Sequence, residues 1–223
     1  MMQGGFPIDL ILFGMVAAFL VLRLRSVLGK RTGFERPTTE KPAVAPPGAR
    51  APDADPARIA PAPGQPRVVL PEPRSPVGKA IGRIIEVDNS FEPAGFLSGA
   101  EGAFRMIVTG FAAGDRRTLR DLLADDTYAG FEGAITAREK GGETQRTEIR
   151  AVQEMSIEAA ELRGTIADVS VRIVSDQVNM TIGQDGLPVA GTDAVTEITD
   201  IWTFQRDLSN ADPTWKLVGT RSA

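Results

Sequence analysis

Three hydropathy regimes follow one another along the chain. From Leu10 to Leu22 no residue is polar, and the wider run Phe6–Leu22 carries one charge, Asp9. Seventeen helical residues reach ~25 Å, a little short of a ~30 Å hydrocarbon layer. Val27 and Leu28 extend the run to residues 6–28 if Arg23 and Arg25 snorkel to the headgroups. Next, residues 37–76 hold twelve prolines among Ala, Arg and Gly, with almost no large apolar side chain before Val68. From about Gly78 apolar residues recur with regular periods. Spacings of three and four predict a long helix over 93–113, with Phe96, Ala100, Phe104, Ile107, Val108 and Phe111 on one face. Gly114 is placed to end it and Asp115 to cap the next helix, 116–124. A third helix, capped by Asp125 or Asp126, runs to Lys140 with Tyr128, Phe131 and Ile135 on its apolar side. A short amphipathic run, 79–88, precedes these three.

After Gly141-Gly142 the period falls from 3.6 to 2. Strands are predicted at 144–157, 165–182, 194–208 and 215–220. Val169, Val171 and Ile173 face one side of the second strand and Asp168, Ser170 and Arg172 the other. Asp185-Gly186 marks the tight turn before the third strand. Helices followed by strands specify an α+β body: three helices packed on a curved antiparallel four-stranded sheet. The organisation read from the chain is a short tail (1–5), a transmembrane anchor (6–28), a disordered Pro-rich basic tether (29–77) and a folded domain (78–223). A forty-residue flexible coil spans ~35 Å root-mean-square, so the tether leashes the domain near the membrane.

Charge sharpens this division. The formal net charge is −4, but residues 1–22 carry −1, residues 23–87 carry +6 and residues 88–223 carry −9. Arg23, Arg25, Lys30 and Arg31 follow the apolar run and MMQGG before it has no basic residue. That order is the reverse of a secretory signal peptide and favours an uncleaved anchor. A core helix is disfavoured because the following segment cannot supply a core. The positive-inside rule then puts the domain on the cytoplasmic side, or on the matrix side if the membrane is that of an organelle. The same four basic residues are the candidate contacts to anionic phospholipid.

The chain has no Cys and no His. Thiolate nucleophiles, zinc–cysteine sites, the Ser-His-Asp arrangement and the usual general base are therefore excluded. There is no GxxxxGK[ST] or GxGxxG motif, and the acidic residues between Asp176 and Asp185 lack the ligand alternation of a calcium loop. No metal and no cofactor is expected. An acidic body argues against nucleic acid as a partner. The aromatic residues are expected to meet between helices and sheet, and Phe104, Ile107, Phe111, Phe131, Trp202, Phe204 and Trp215 are the candidate lining of a hydrophobic pocket there. Arg116, Arg117 and Arg120 form the one candidate basic patch of the domain.

Two stretches carry a family resemblance. Ile201-Trp202-Thr203-Phe204-Gln205-Arg206-Asp207-Leu208, followed by Asp212-Pro213-Thr214-Trp215-Lys216-Leu217-Val218, resembles the C-terminal signature of the Tim44-like domain. Phe96-Leu97-Ser98-Gly99-Ala100 and Phe111-Ala112-Ala113-Gly114-Asp115 resemble its opening helices. With an anchor and a Pro-rich tether ahead of it, the chain is similar to the bacterial TimA group. The resemblance implies a cone-like fold of the nuclear-transport-factor-two-like superfamily and an inner-membrane location. The mitochondrial relative tethers a chaperone motor to the protein-import channel and contacts cardiolipin-containing membrane. This chain lacks the long charged N-terminal region through which that relative holds its chaperone. The expectation is a non-enzymatic membrane adaptor that binds protein partners or lipid and assists protein translocation or membrane-protein assembly. The alternatives are a lipid-carrying module and an isomerase-like enzyme. The enzyme would need Tyr128, the only tyrosine, to converge with a buried carboxylate in the cone.

Overall fold

The computed structural model describes residues 65–223. The expected anchor, most of the tether and Arg23, Arg25, Lys30 and Arg31 lie outside the described residues. The described elements are β1 (Arg67–Val69), α1 (Pro76–Val87), α2 (Pro93–Ala113), α3 (Arg116–Leu122), α4 (Asp125–Lys140), β2 (Thr144–Arg163), β3 (Ile166–Ile182), β4 (Pro188–Asp207) and β5 (Lys216–Ser222). Among these residues no helix is long and apolar enough to cross a membrane.

The fold is α+β, with two corrections to the sequence reading. There are four helices instead of three, because the 79–88 run forms a full helix. Ser75 caps it by accepting from the Gly78 N–H at 3.0 Å, and Pro76 occupies the first turn. The sheet is five-stranded and mixed, in the order β1-β2-β3-β4-β5. Its extra strand, β1, pairs parallel to β2 through Arg67↔Glu154, Val68↔Met155 and Val69↔Ser156. Three residues among prolines carry too little pattern to be read as a strand. They pair because β2 leaves an edge open, so ordered structure begins inside the stretch assigned to the tether.

The helix boundaries follow local chemistry. Gly114 adopts φ 73° and ends α2, and the Asp115 side chain accepts from the Thr118 N–H at 3.1 Å to start α3. Arg138 completes the end of α2 by donating to the Phe111 and Ala112 carbonyls at 2.8 and 3.1 Å. Helix α4 departs from expectation: its N-cap is Ala124, with no side-chain cap, while Asp125 and Asp126 sit in the first turn. Tertiary structure sets this start, because the Ala124 N–H donates to the Leu217 carbonyl of β5 at 2.9 Å. The two carboxylates then face the positive end of the helix dipole.

Strands β2, β3 and β4 run for 17 to 20 residues. The β2–β3 register slips at Ile149/Ala151, Val152/Glu154 and Ile157/Ala159. Each such bulge bends and twists the bulged strand, which curves the sheet around the helices. On β3 the predicted alternation holds: Ala167, Val169, Val171 and Ile173 are fully buried. Strand β4 begins at Pro188, six residues earlier than the alternation at 194 suggests, because β3 is long enough to pair with the poorly patterned PVAGTD segment. The core joins this inner face to Ile81 and Ile84 of α1, Leu97, Phe104 and Ile107 of α2, Leu119 of α3 and Tyr128 and Ile135 of α4. Phe104 packs edge-on against Trp202 at 4.9 Å between centroids.

Candidate functional site

The first turn of α2 creates a cleft. Glu92 caps the helix by accepting from the Ala94 N–H at 3.0 Å and from the Gly95 N–H. Along the next three turns Gly95, Gly99, Ala103 and Met106 recur at spacings of three and four, so one face of α2 is nearly bare. A Cβ placed on Gly99 would meet nothing within 4 Å. Trp215, Pro213, Leu122, Phe91, Phe96, Ala100 and Phe204 supply the rest of the apolar lining. The resulting cleft has a volume of about 450 Å³.

Its aromatic residues form a contiguous set. Phe96 meets Trp215 edge-on at 4.9 Å and Phe204 at 6.1 Å, and Phe91 lies 5.5 Å from Phe96 and 5.6 Å from Trp215. Such edge-on pairs fix ring orientation beyond what area burial supplies. One end of the cleft is charged. Arg206 donates to Asp88 at 2.9 Å, with both side chains 14% exposed, and also to the Asp212 carbonyl. Hydrogen bonding from Ser90 holds the Asp88 carboxyl below its ordinary pKa, opposed by burial and reinforced by Arg206. This ion pair ties the end of α1 to β4 and so fixes the cleft mouth.

The seven residues expected in a pocket are divided by the fold. Phe204 and Trp215 line the cleft. Phe104, Ile107 and Trp202 are core, at most 4% exposed. Phe111 and Phe131 pair with each other at 5.2 Å, with the Arg138 guanidinium 5.2 Å from the Phe111 ring. Phe91 and Arg206 were missed as site residues. Phe91 sits in the α1–α2 connection, where no period marks it. The arginine patch is largely engaged. Arg116 donates to Glu139 at 2.8 Å, Arg120 stacks on the Tyr128 ring at 3.8 Å, and Arg117 is exposed.

Carboxylates near the cleft are occupied with structure: Glu92 as a cap and Asp88 as an ion-pair partner. The Tyr128 hydroxyl donates to Glu132 at 3.1 Å, on the same helix, and the Glu132 side chain is 43% exposed. One carboxylate stands apart. Asp200 lies in register opposite Ile173 and Ser222, and burial pushes its pKa up to about 6. No hydrogen-bonding group contributes to that shift, which is why it is upward. A polar depression on the opposite sheet face is self-satisfied, with Ser170 bonded to Thr203 at 2.9 Å and Gln205 donating to Asp168 at 2.8 Å. Among the described residues no group of three acidic side chains is arranged to hold a metal ion.

Comparison with known proteins agrees with the sequence resemblance. No curated protein matches the chain. Among solved structures it is similar to the intermembrane-space region of the chloroplast protein ARC6, with 11% identity over 56% of this chain and 95% of that one and a TM-score of 0.43. The family profile described as the Tim44-like domain matches residues 77–222, which spans the four helices, β2 to β5 and the whole aromatic cleft. The chain therefore belongs to the Tim44-like domain family.

Proposed function

We propose that this protein is a membrane-anchored, non-catalytic adaptor whose aromatic cleft receives an apolar segment of a partner polypeptide. The observation that carries this reading is the form of the cleft. One wall is a helix face made of Gly95, Gly99 and Ala103, which lets another backbone approach closely. The other is Trp215 over Phe91, Phe96 and Phe204, rigid apolar area of the type that anchors partners. Residues Glu92 to Met106 extend ~21 Å along the helix axis, about four turns. That length suits a short helix or strand better than a compact small molecule. Both nearby carboxylates serve capping or ion pairing, so the cleft offers binding surface and no free acid–base pair.

An anchor at 6–28 and a tether ahead of β1, from residue 29 to 66, give the cleft its context. Confining the domain within tens of ångströms of the bilayer raises the effective concentration of membrane-bound partners, so a modest intrinsic affinity suffices. In a bacterial inner membrane, with the domain facing the cytoplasm, this arrangement serves protein translocation or membrane-protein assembly. Arg23, Arg25, Lys30 and Arg31 would hold the membrane end against anionic headgroups. A photo-crosslinker at Met106, which is 48% exposed on the cleft wall, tests the reading in native membranes. Adducts to discrete polypeptides are expected. Adducts to phospholipid alone would turn the reading towards a lipid-carrying module, and no specific adduct would refute it.

A further inference from the structure

Beyond the cleft, we infer that the outer edge of β4 between Pro188 and Ile198 is a docking edge for an extended, lysine- or arginine-bearing polypeptide segment that adds to the sheet as a further strand. Strand β5 pairs with β4 only from Asp200 onward, and the Ala223 N–H reaches Thr199. Among the described residues nothing pairs with β4 before that point, although β3 pairs with its other edge from Pro188. Eleven residues of strand expose one row of backbone donors and acceptors over ~36 Å. Val189 and Val195 on this strand are 56% and 55% exposed, and Leu187 at its start 62%.

Charge decides the kind of partner. From Ile173 to Gln205 the chain has Asp176, Asp185, Asp193, Glu197 and Asp200 and no Lys or Arg. The basic residues on the neighbouring strands are engaged: Arg146 and Arg150 on β2 lie against Glu148 at 3.7 and 3.0 Å, Arg172 on β3 against Glu154 at 3.2 Å and Arg221 on β5 against Glu158 at 2.9 Å. Open edges commonly carry charged side chains that deter indiscriminate pairing; the charges on this edge, exposed Asp193 and Glu197, are both acidic. Two copies pairing edge to edge would set these acids against each other, which disfavours a homodimer. A basic strand meets complementary charge, which is concentrated where the register slip between Gln177/Asn179 leaves Asp193–Val195 bulged. Main-chain bonding supplies affinity in this mode and alternate side chains supply selectivity.

The test uses the full chain in phosphatidylcholine nanodiscs and a fluorescent eight-residue peptide of alternating lysine and valine. Nuclear magnetic resonance shifts are expected at amides of residues 188–199, with binding weakened about tenfold by alternate N-methylation of the peptide or by the D193K/E197K double substitution. Both substituted residues are exposed, and the N-methylated peptide needs no variant at all. Equal binding of the N-methylated peptide overturns the inference. So do shifts confined to the aromatic cleft, or a homodimer whose 188–199 amides are already protected from exchange.

Discussion

Strand β3 passes through two environments. Between Ala167 and Ile173 its inner face is Ala, Val, Val, Ile, wholly buried in the core shared with the helices and matched across the sheet by Phe204 and Trp202. From Ser175 onward the inner face becomes Ser175, Gln177 and Asn179, joined in a ladder of side-chain hydrogen bonds at 2.9 and 3.1 Å. Its partner strand there is exposed almost throughout. The first region is held by apolar burial, the second mainly by strand pairing. The cleft borders the first and the open edge belongs to the second. Apolar packing thus sits where the helices cover the sheet, while the far arm leaves its surface exposed among the described residues.

The contrast is broken most severely by a core deletion. Phe104→Ala removes a fully buried ring facing Trp202 and is expected to cost about 3–5 kcal/mol, whereas Val195→Ser on the arm should change stability by less than about 0.5 kcal/mol. Chemical denaturation of the two variants checks the ratio. Gly191 defines the arm more locally. It has φ 80°, and a Cβ there would collide with the Asn179 carbonyl. Gly191→Ala should cost about 2 kcal/mol, read as faster hydrogen exchange across residues 179–192 with the helix-covered amides unchanged.

Asp200 sits at the boundary between the two regions and gives a pH signature. Its carboxyl is raised to about 6 by burial, so the folded state binds the proton more tightly than the unfolded chain. Stability therefore falls as pH rises from about 4 to 6 and stays lowered above that. Asp200→Asn should stabilise the domain by about 1–2 kcal/mol at pH 8, and the gain should vanish below pH 4. A gain independent of pH would mean that packing, not charge, is responsible. Smallest is Gly99→Ala. It adds a methyl group into open space on a helix and should stabilise by up to about 1 kcal/mol.

The legibility of the chain follows the same division. Wherever one face is covered, periodicity marked the element: α2, α3 and β3 stand almost where the pattern places them, including the Gly114 and Asp115 boundary. Where pairing rather than burial makes the structure, pattern was weak. Strand β1 has three residues, and the first six residues of β4 include Pro188 and Gly191. The start of α4 is not legible in sequence, because a backbone bond from Ala124 to Leu217 outweighs the two aspartates. Of the candidate site, Phe204 and Trp215 were legible through the WTFQRD and DPTWKLV runs. Phe91 was not, since only the folded chain brings the α1–α2 connection beneath Trp215. Aromatic identity alone does not separate lining from core, so Phe104 and Trp202 read in sequence like Phe204 although the fold buries them.

The central claim, that the cleft binds an apolar partner segment, is tested most directly by filling it. Gly99→Trp projects an indole into the open side of α2 without displacing any atom within 4 Å of its Cβ. Crosslinking from Met106 in native membranes should lose its discrete polypeptide adducts in this variant, while the circular dichroism spectrum and thermal midpoint stay at or above those of the unsubstituted protein. Unchanged adducts from a folded Gly99→Trp protein would contradict the account.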